Sequence, residues 1–94
     1  MDSTPAQVEV EVIISNSQGL HARPVMRFVD ISSKFSSDIQ IHKDSLIVDG
    51  KSPMEMMLLE AIKGTRLRLV ACGADAAEAV KALAALVEGK FGEE

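Results

Sequence analysis

The spacing of apolar side chains changes abruptly within the first third of the chain. At residues 8–14, apolar side chains alternate with Glu9 and Glu11, a period of two that predicts a strand with one face in water. From Ala22 to about Phe35 the period becomes helical, so an amphipathic helix is expected after a polar loop. The face of this helix that turns towards the core would carry Val25, Phe28, Val29 and Ser32.

Turn residues divide the middle of the chain into two short strands and a short helix. Residues 38–42 and 46–48 predict the second and third strands, with Lys43-Asp44 as the turn between them. Ser52-Pro53-Met54-Glu55 combines an N-cap serine, a first-turn proline and a glutamate three residues after the cap, which predicts a capping box. Gly64 is then expected to end this helix as its C-cap.

The last third of the chain repeats the change from strand to helix. Arg66 and Arg68 alternate with apolar residues in a fourth strand, which Gly73 ends. Asp75-Ala76-Ala77-Glu78 has the pattern of a second capping box, and the helix that it opens is expected to end at Gly89. The apolar face of this helix would carry Ala79, Val80, Leu83, Leu86 and Val87.

The resulting order is βαββαβα, and each strand has a polar side. Half-polar strands suit an α+β fold in which a four-stranded antiparallel sheet keeps one face open to water while three helices cover the other. The chain has 94 residues, which predicts a single domain over residues 1–94, with a core at about 8–89 and short polar tails.

Composition excludes several classes of protein. The net charge is −4 and the chain has no Trp or Tyr, so it lacks the basic surface and the aromatic platforms of nucleic-acid-binding proteins. Cys72 is the only cysteine; we expect a small buried residue at a strand end, with no disulfide and no metal-ligand pair. Met1 to Gln7 lacks the pattern of a signal peptide, and no run reaches membrane-spanning length, so a cytoplasmic protein without membrane insertion is expected.

The string Gly19-Leu20-His21-Ala22-Arg23-Pro24 is the strongest candidate for a reactive site. A histidine at a helix start meets backbone N–H groups that no helical carbonyl satisfies, together with the positive end of the helix dipole. Such an end binds anions, and Arg23 adds a guanidinium whose shape matches phosphate oxygens. Pro24 stiffens the first turn without losing a hydrogen bond. We therefore expect His21 to accept a phosphoryl group and Arg23 to stabilise it.

This string resembles the active-site signature of the HPr family, the histidine-containing phosphocarriers of the bacterial phosphoenolpyruvate:sugar phosphotransferase system. The similarity runs from Val8 to about Gly89 and includes Asp49-Gly50-Lys51-Ser52 and Lys63-Gly64. It implies the open-faced βαββαβα sandwich of that family. It also implies that His21 takes a phosphoryl group on Nδ1 from phosphorylated enzyme I and delivers it to enzyme IIA, with Arg23 orienting and neutralising the group.

The same resemblance defines what kind of protein this would be. It implies a carrier with a covalent phosphohistidine intermediate in a transferase relay, not an independent enzyme, with no metal or organic cofactor within the chain. A monomer is expected, because no self-association seam is evident. Gln18 departs from the family, which often has Ser or Asn three residues before the histidine.

Ser52 aligns with the serine that an ATP-dependent HPr kinase/phosphorylase modifies in many members of the family. There the serine is typically followed by Ile-Met-Gly, whereas Pro53-Met54-Glu55 follows it here. The N-cap role explains Ser52 and Glu55 without regulation, and Glu55 would place a like charge near a phosphate. Regulatory phosphorylation and a purely structural role therefore both stay open.

Methionines are concentrated around the short second helix. Methionine suits surfaces that accept several partners, because its side chain adapts readily, but it also fills gaps in cores. In HPr-like proteins this helix borders the active histidine, so Met26, Met54 and Met57 are expected to contact partners. His42 is expected to face solvent without a role.

Two other functions compete with the phosphoryl carrier. The first is a regulatory interaction protein that is controlled mainly by the state of Ser52. The second is a plain binding module with the same fold. A carrier could also serve a nitrogen-related branch of the phosphotransferase system instead of sugar uptake.

Overall fold

Four strands and three α-helices follow one another in the predicted order in the computed structural model, which describes residues 7–93. The strands are β1 (Gln7–Ile13), β2 (Asp38–Lys43), β3 (Leu46–Asp49) and β4 (Arg66–Cys72). The helices are α1 (Ala22–Ser32), α2 (Pro53–Met57) and α3 (Ala76–Glu88), and a short 3₁₀ turn at Lys90–Gly92 follows α3. The prediction that the N-terminal segment is not a signal peptide concerns mainly residues 1–6, which lie outside the described residues.

The strands form one antiparallel sheet in the order β1-β4-β2-β3. Leu69 shows how the register builds the core: it lies opposite Val10 on one side and Ile41 on the other, and Ile41 in turn lies opposite Val48. Because side chains alternate along each strand, the neighbouring positions form a second row on the opposite face. The predicted α+β fold with a half-polar sheet is confirmed.

The helices pack on the apolar face of the sheet, with α3 against β1 and β4 and with α1 against α2 and α3. Predicted helix faces enter this core, although Val29 and Leu86 are only partly buried. The largest side chains that are fully buried there include Ile14, Phe28, Ile41, Met56, Leu59, Leu69, Leu83 and Phe91. No helix within residues 7–93 combines the length and the apolar character needed to cross a membrane.

Helix α1 ends at Ser32, about one turn before the predicted end at Phe35. The N–H of Lys34 donates to the carbonyl of Ile31 and that of Phe35 to the carbonyl of Ser32, so the chain tightens into i→i−3 bonds after the helix. The Ser32 hydroxyl is buried and donates to the carbonyl of Gly50 at 2.7 Å. Contacts with a distant loop therefore end the helix earlier than its periodicity indicates.

The prediction that Gly64 caps the second helix is wrong, because α2 already ends at Met57. Glu60 adopts a left-handed backbone, with φ of 47°, and the N–H of Leu20 then donates to the carbonyl of Ala61 at 2.8 Å. Gly64 lies in the turn before β4 and donates its N–H to the carbonyl of Ile14 at 2.7 Å. The chain leaves the helix early because it hydrogen-bonds to both ends of the loop between β1 and α1, at Ile14 and at Leu20.

The second predicted capping box also does not form, since Asp75 makes no side-chain bond to its own helix. Its carboxylate instead accepts the backbone N–H groups of Ser36 and Ser37, each at 2.9 Å, and both serine hydroxyls. The Ser37 hydroxyl contributes most and the Ser36 N–H next to lowering the pKa of Asp75 from 3.8 to about 2. Asp75 thus ties the start of α3 to the loop that precedes β2.

The lowered pKa of Asp75 predicts a stability contribution that acid removes. The carboxyl group has a pKa of about 2 in the folded chain, against an ordinary value of 3.8. It therefore stabilises the fold fully above the higher value, and this contribution disappears as the pH falls through the lower one. We expect Asp75→Asn to lower the urea midpoint at about pH 6, and the difference from wild type to shrink between about pH 4 and pH 2. Asp44→Asn, at an exposed turn position, is the control; an unchanging difference for Asp75→Asn would contradict this role.

Two side chains outside the core differ in detail from expectation. Cys72 is half-buried at the end of β4 rather than fully buried. His42 lies in the row on the open side of the sheet, opposite Arg68 and Ile47. It is half-buried, and its Nε2 lies 3.1 Å from Oε1 of Gln40.

Candidate functional site

His21 occupies the N-cap position of α1, as the sequence predicts. Its backbone is extended, with φ of −98° and ψ of −166°, and its carbonyl accepts the N–H of Val25 at 3.0 Å. The side chain makes no capping bond and is 42% exposed. The imidazole therefore lies at the helix start without hydrogen-bonding to the backbone of the helix, and it remains accessible to a partner.

The loop before His21 needs glycine at position 19. Gly19 has φ of 71°, and a Cβ there would lie 2.7 Å from the carbonyl oxygen of Ala61. Both the left-handed backbone and the close approach exclude a side chain. Leu20 is buried. The turn is therefore held by the core on one side and by the segment after α2, at Ala61, on the other.

The start of α1 provides an anion-binding surface beside the imidazole. The first N–H groups of a helix have no carbonyl partner within it, and buried Pro24 removes one of these donors without a loss. Arg23 is exposed, and no carboxylate among residues 7–93 lies within ion-pair distance of it; the one contact of that length joins the His21 ring to Glu93. The guanidinium of Arg23 is thus unpaired within that range and available to an incoming phosphoryl group.

The structure adds two residues that the sequence analysis did not identify. Oε1 of Glu93 lies 3.4 Å from Nε2 of His21. Asn16 is buried and donates its side-chain amide to the carbonyl of Gly19 at 2.7 Å and to the same Glu93 oxygen at 3.4 Å. Gln18, by contrast, is exposed. The side chain that supports the loop therefore comes from Asn16, two residues earlier than the position where the family often has Ser or Asn.

Glu93 reaches the histidine because the end of the chain folds back over α1. Phe91, beyond the expected core limit at residue 89, is fully buried, and its carbonyl accepts a hydrogen bond from the guanidinium of Arg27. Lys90 and Phe91 both have φ of 56°, which turns the chain sharply after α3. A single large aromatic residue after the helix-ending Gly89 was the available sequence signal.

The three predicted partner contacts come together at the surface. Met26 is 49% exposed, Met54 80% and Met57 45%, whereas Met56 points inward and is 1% exposed. The exposed methionines line an apolar groove of about 330 Å³ together with Ala22, Val25 and Pro53. Because Ala22 directly follows His21, this groove, which we call the methionine groove, begins beside the candidate phosphoryl site.

Ser52 lies at the N-cap of α2 and is half-buried. Its hydroxyl accepts the N–H of Glu55 at 3.2 Å, which is one half of the predicted capping box. The other half differs, because the Glu55 carboxylate accepts the N–H of Asp49 at 3.0 Å while the N–H of Ser52 donates to the Asp49 carbonyl. The Glu55 side chain thus binds the preceding turn and not the cap itself.

Comparisons with known proteins bear on the family and the fold of the chain. Residues 8–89 match the family model described as the PTS HPr component phosphorylation site. Phosphocarrier protein HPr of Neisseria meningitidis serogroup A is 45% identical over 84 residues, covering 89% of this chain and 92% of that protein. The crystal structure of HPr-C-His from Thermoanaerobacter tengcongensis has a TM-score of 0.89 at 49% identity, covering 93% of this chain and 98% of its own.

A dimer of HPr from Thermoanaerobacter tengcongensis is also similar. It has a TM-score of 0.75 at 49% identity and covers 89% of this chain and 97% of its own. The residues matched by the family model run from β1 to the end of α3 and include the loop before His21. Phe91 and Glu93 lie beyond them.

Proposed function

Since the chain belongs to the HPr family of phosphocarrier proteins, we propose that it accepts a phosphoryl group on Nδ1 of His21 from phosphorylated enzyme I and passes it to enzyme IIA domains in sugar uptake. Phosphoenolpyruvate is the ultimate donor. The protein is a cytoplasmic carrier that works through a phosphohistidine intermediate and needs no cofactor of its own.

The observation that supports this assignment is the position of His21. Its imidazole is exposed at the N-terminus of α1, makes no capping bond, and contacts Glu93 through Nε2. Nδ1 is therefore the nitrogen left to react. An incoming phosphoryl group would meet the free N–H groups of the first turn and the guanidinium of Arg23.

The same geometry explains how the group can be passed on. The Nδ1 lone pair attacks phosphorus while the bond between phosphorus and the donor group of enzyme I breaks, and the electron pair of that bond returns to that donor group. A helix end stabilises a negative group by only about 0.3–1 kcal/mol at an exposed site. The phosphohistidine is therefore stabilised enough to form, but not so strongly that the phosphoryl group cannot leave in the next transfer.

Incubation of the purified chain with enzyme I, phosphoenolpyruvate and Mg²⁺ tests the proposal. We expect one acid-labile phosphoryl group per chain, with a phosphorus NMR signal that couples to the His21 ring. Subsequent addition of enzyme IIA should discharge this group. A chain that gains no acid-labile phosphate under conditions that phosphorylate a known HPr would show that the proposal is wrong.

The methionine groove is the proposed docking surface for enzyme I and for enzyme IIA. It is apolar, it adjoins the start of α1, and its flexible side chains can fit partners of different shape. Both partners need to approach the same imidazole, so one surface beside it can serve both. The monomer expected from the sequence leaves this groove free.

Docking at the methionine groove predicts that a charge placed there weakens partner binding. Met54 is the most exposed of the three, so Met54→Lys should leave the fold intact while raising the Kd for enzyme I about tenfold, measured by titration. Ile47→Lys is the matched control, because Ile47 is an apolar residue that is 53% exposed but lies on the open face of the sheet. Equal effects of the two variants would rule out the groove.

A regulatory role of Ser52 stays a prediction. Its hydroxyl caps α2, and a phosphate there would lie near the carboxylates of Glu55 and Asp49. The regulatory alternative requires acid-stable phosphate on Ser52 after incubation with HPr kinase/phosphorylase and ATP. Charging by the enzyme I of a nitrogen-related branch, in preference to that of sugar uptake, would instead identify the other alternative.

A further inference from the structure

We propose that Glu93 is a positioning residue for the phosphoryl transfer, which holds the His21 ring in the tautomer that leaves Nδ1 free to attack. The inference rests on the proposed function and adds a residue to it. Glu93 lies outside residues 8–89, the part of the chain that the family model matches. The carboxylate acts through the imidazole and does not touch the phosphoryl group.

The carboxylate of Glu93 contacts the Nε2 nitrogen of the His21 ring. A neutral imidazole carries its proton on one nitrogen, and the hydrogen bond made by that nitrogen selects the tautomer. A carboxylate only accepts hydrogen bonds, so Glu93, 3.4 Å from Nε2, favours the proton at Nε2. The lone pair then lies at Nδ1, as attack on phosphorus requires.

The His21 ring gains positive charge during the transfer. When neutral His21 with its proton on Nε2 bonds phosphorus through Nδ1, no proton is released and the ring becomes formally cationic. The Glu93 carboxylate then faces a positively charged N–H donor, and such charge-assisted bonds are shorter and stronger than neutral ones. A separation of 3.4 Å before transfer fits a contact that tightens as charge develops. The aspartate of a serine protease likewise fixes the tautomer of its histidine and stabilises the imidazolium that forms.

The Glu93 carboxylate is held in place from several directions. Its side chain is only 19% exposed, and the buried amide of Asn16 donates to the oxygen that faces His21. The preceding chain is fixed by buried Phe91, whose carbonyl accepts from Arg27. A chance surface contact would not have these anchors.

Orienting the Asn16 amide towards Glu93 has a cost in stability. Both groups in front of its amide, the Gly19 carbonyl and the Glu93 carboxylate, are acceptors, so the NH₂ end must face them. Its Oδ1 is consequently left buried without a partner among residues 7–93. An unsatisfied buried acceptor is destabilising, and this one results from directing the amide donor at the loop and at Glu93.

Glu93→Ala and Glu93→Gln test the inference, with Glu88→Gln as the matched control because Glu88 is exposed on the last turn of α3. Nitrogen NMR shifts of the neutral His21 ring report its tautomer without any phosphoryl donor. We expect the population with the proton on Nδ1 to rise at least about twofold in Glu93→Ala, and to stay as in wild type in Glu88→Gln. An unchanged tautomer population in Glu93→Ala would overturn the positioning role.

The kinetic part of the test uses phosphoryl transfer from enzyme I. Loss of one hydrogen bond of ordinary strength predicts a kcat about threefold to tenfold lower in Glu93→Ala, at unchanged KM for the donor protein. Glu93→Gln should fall between this variant and wild type, because its amide can accept from Nε2 but carries no charge. A raised KM at normal kcat would show that Glu93 serves docking instead. Failure of the wild-type chain to accept phosphate would refute the proposed function, whereas the NMR result stands apart from it.

Discussion

Replacement of His21 with alanine is expected to abolish the acid-labile phosphoryl group that wild type acquires from enzyme I and phosphoenolpyruvate. Alanine has no nucleophilic atom, and no other histidine lies near the start of α1. Because the imidazole is 42% exposed and makes no capping bond, its loss should leave the free energy of unfolding nearly unchanged. Phosphate incorporation and a urea unfolding curve on the same sample separate loss of chemistry from loss of fold.

His42→Ala is the matched control for this experiment, since the chain has two histidines. His42 lies on the open face of the sheet, where its ring contacts Gln40, and the sequence assigns it no role. We expect this variant to be phosphorylated at the wild-type level. Acid-labile phosphate that persists in His21→Ala but disappears in His42→Ala would transfer the carrier function to the other histidine.

Replacement of Phe91 with alanine is expected to lower the free energy of unfolding by about 3 kcal/mol or more. Phe91 is fully buried although it lies only three residues from the end of the chain. Removing a buried phenyl ring loses its transfer free energy and leaves a cavity, which together cost about 3–5 kcal/mol. Urea unfolding measures this difference directly, and Phe91→Leu should lose only part of it.

The same replacement should also affect the candidate site, because Phe91 positions the chain that carries Glu93. We expect Phe91→Ala to shift the His21 tautomer population in the same direction as Glu93→Ala does. Lys81→Ala, at an exposed position of α3, is the control for both measurements and should change neither. A stability loss below about 1 kcal/mol would mean that the end of the chain does not contribute to the core.

Local sequence patterns predicted the elements better than their ends. The change of period at Ala22 placed α1 correctly, but the helix stops at Ser32, where the Ser32 hydroxyl binds the distant Gly50 carbonyl. Likewise α2 begins at its predicted proline and ends well before Gly64. Helix starts are set by residues close in sequence, whereas these helix ends depend on hydrogen bonds to loops elsewhere in the chain.

The two predicted capping boxes show why a motif alone does not decide its contacts. Ser52 accepts the N–H of Glu55 as predicted, but Asp75 leaves its own helix uncapped and binds Ser36 and Ser37. A carboxylate or a hydroxyl oxygen can accept a hydrogen bond from any donor within reach. Which donor they accept from depends on the loops that the fold brings next to them.

The sequence by itself determined the order of strands and helices and the placement of His21 and Arg23 at a helix start, because each depends on residues within a few positions of one another. It also carried the family resemblance, which rests on motifs spread from Val8 to about Gly89. Only the tertiary structure decided that Glu93 and Asn16 lie at the imidazole and that Met26 meets Met54 and Met57 in one groove. Glu93 is 72 residues from His21 along the chain. No local pattern encodes such a contact, since it forms only when burial of Phe91 returns the end of the chain to the start of α1.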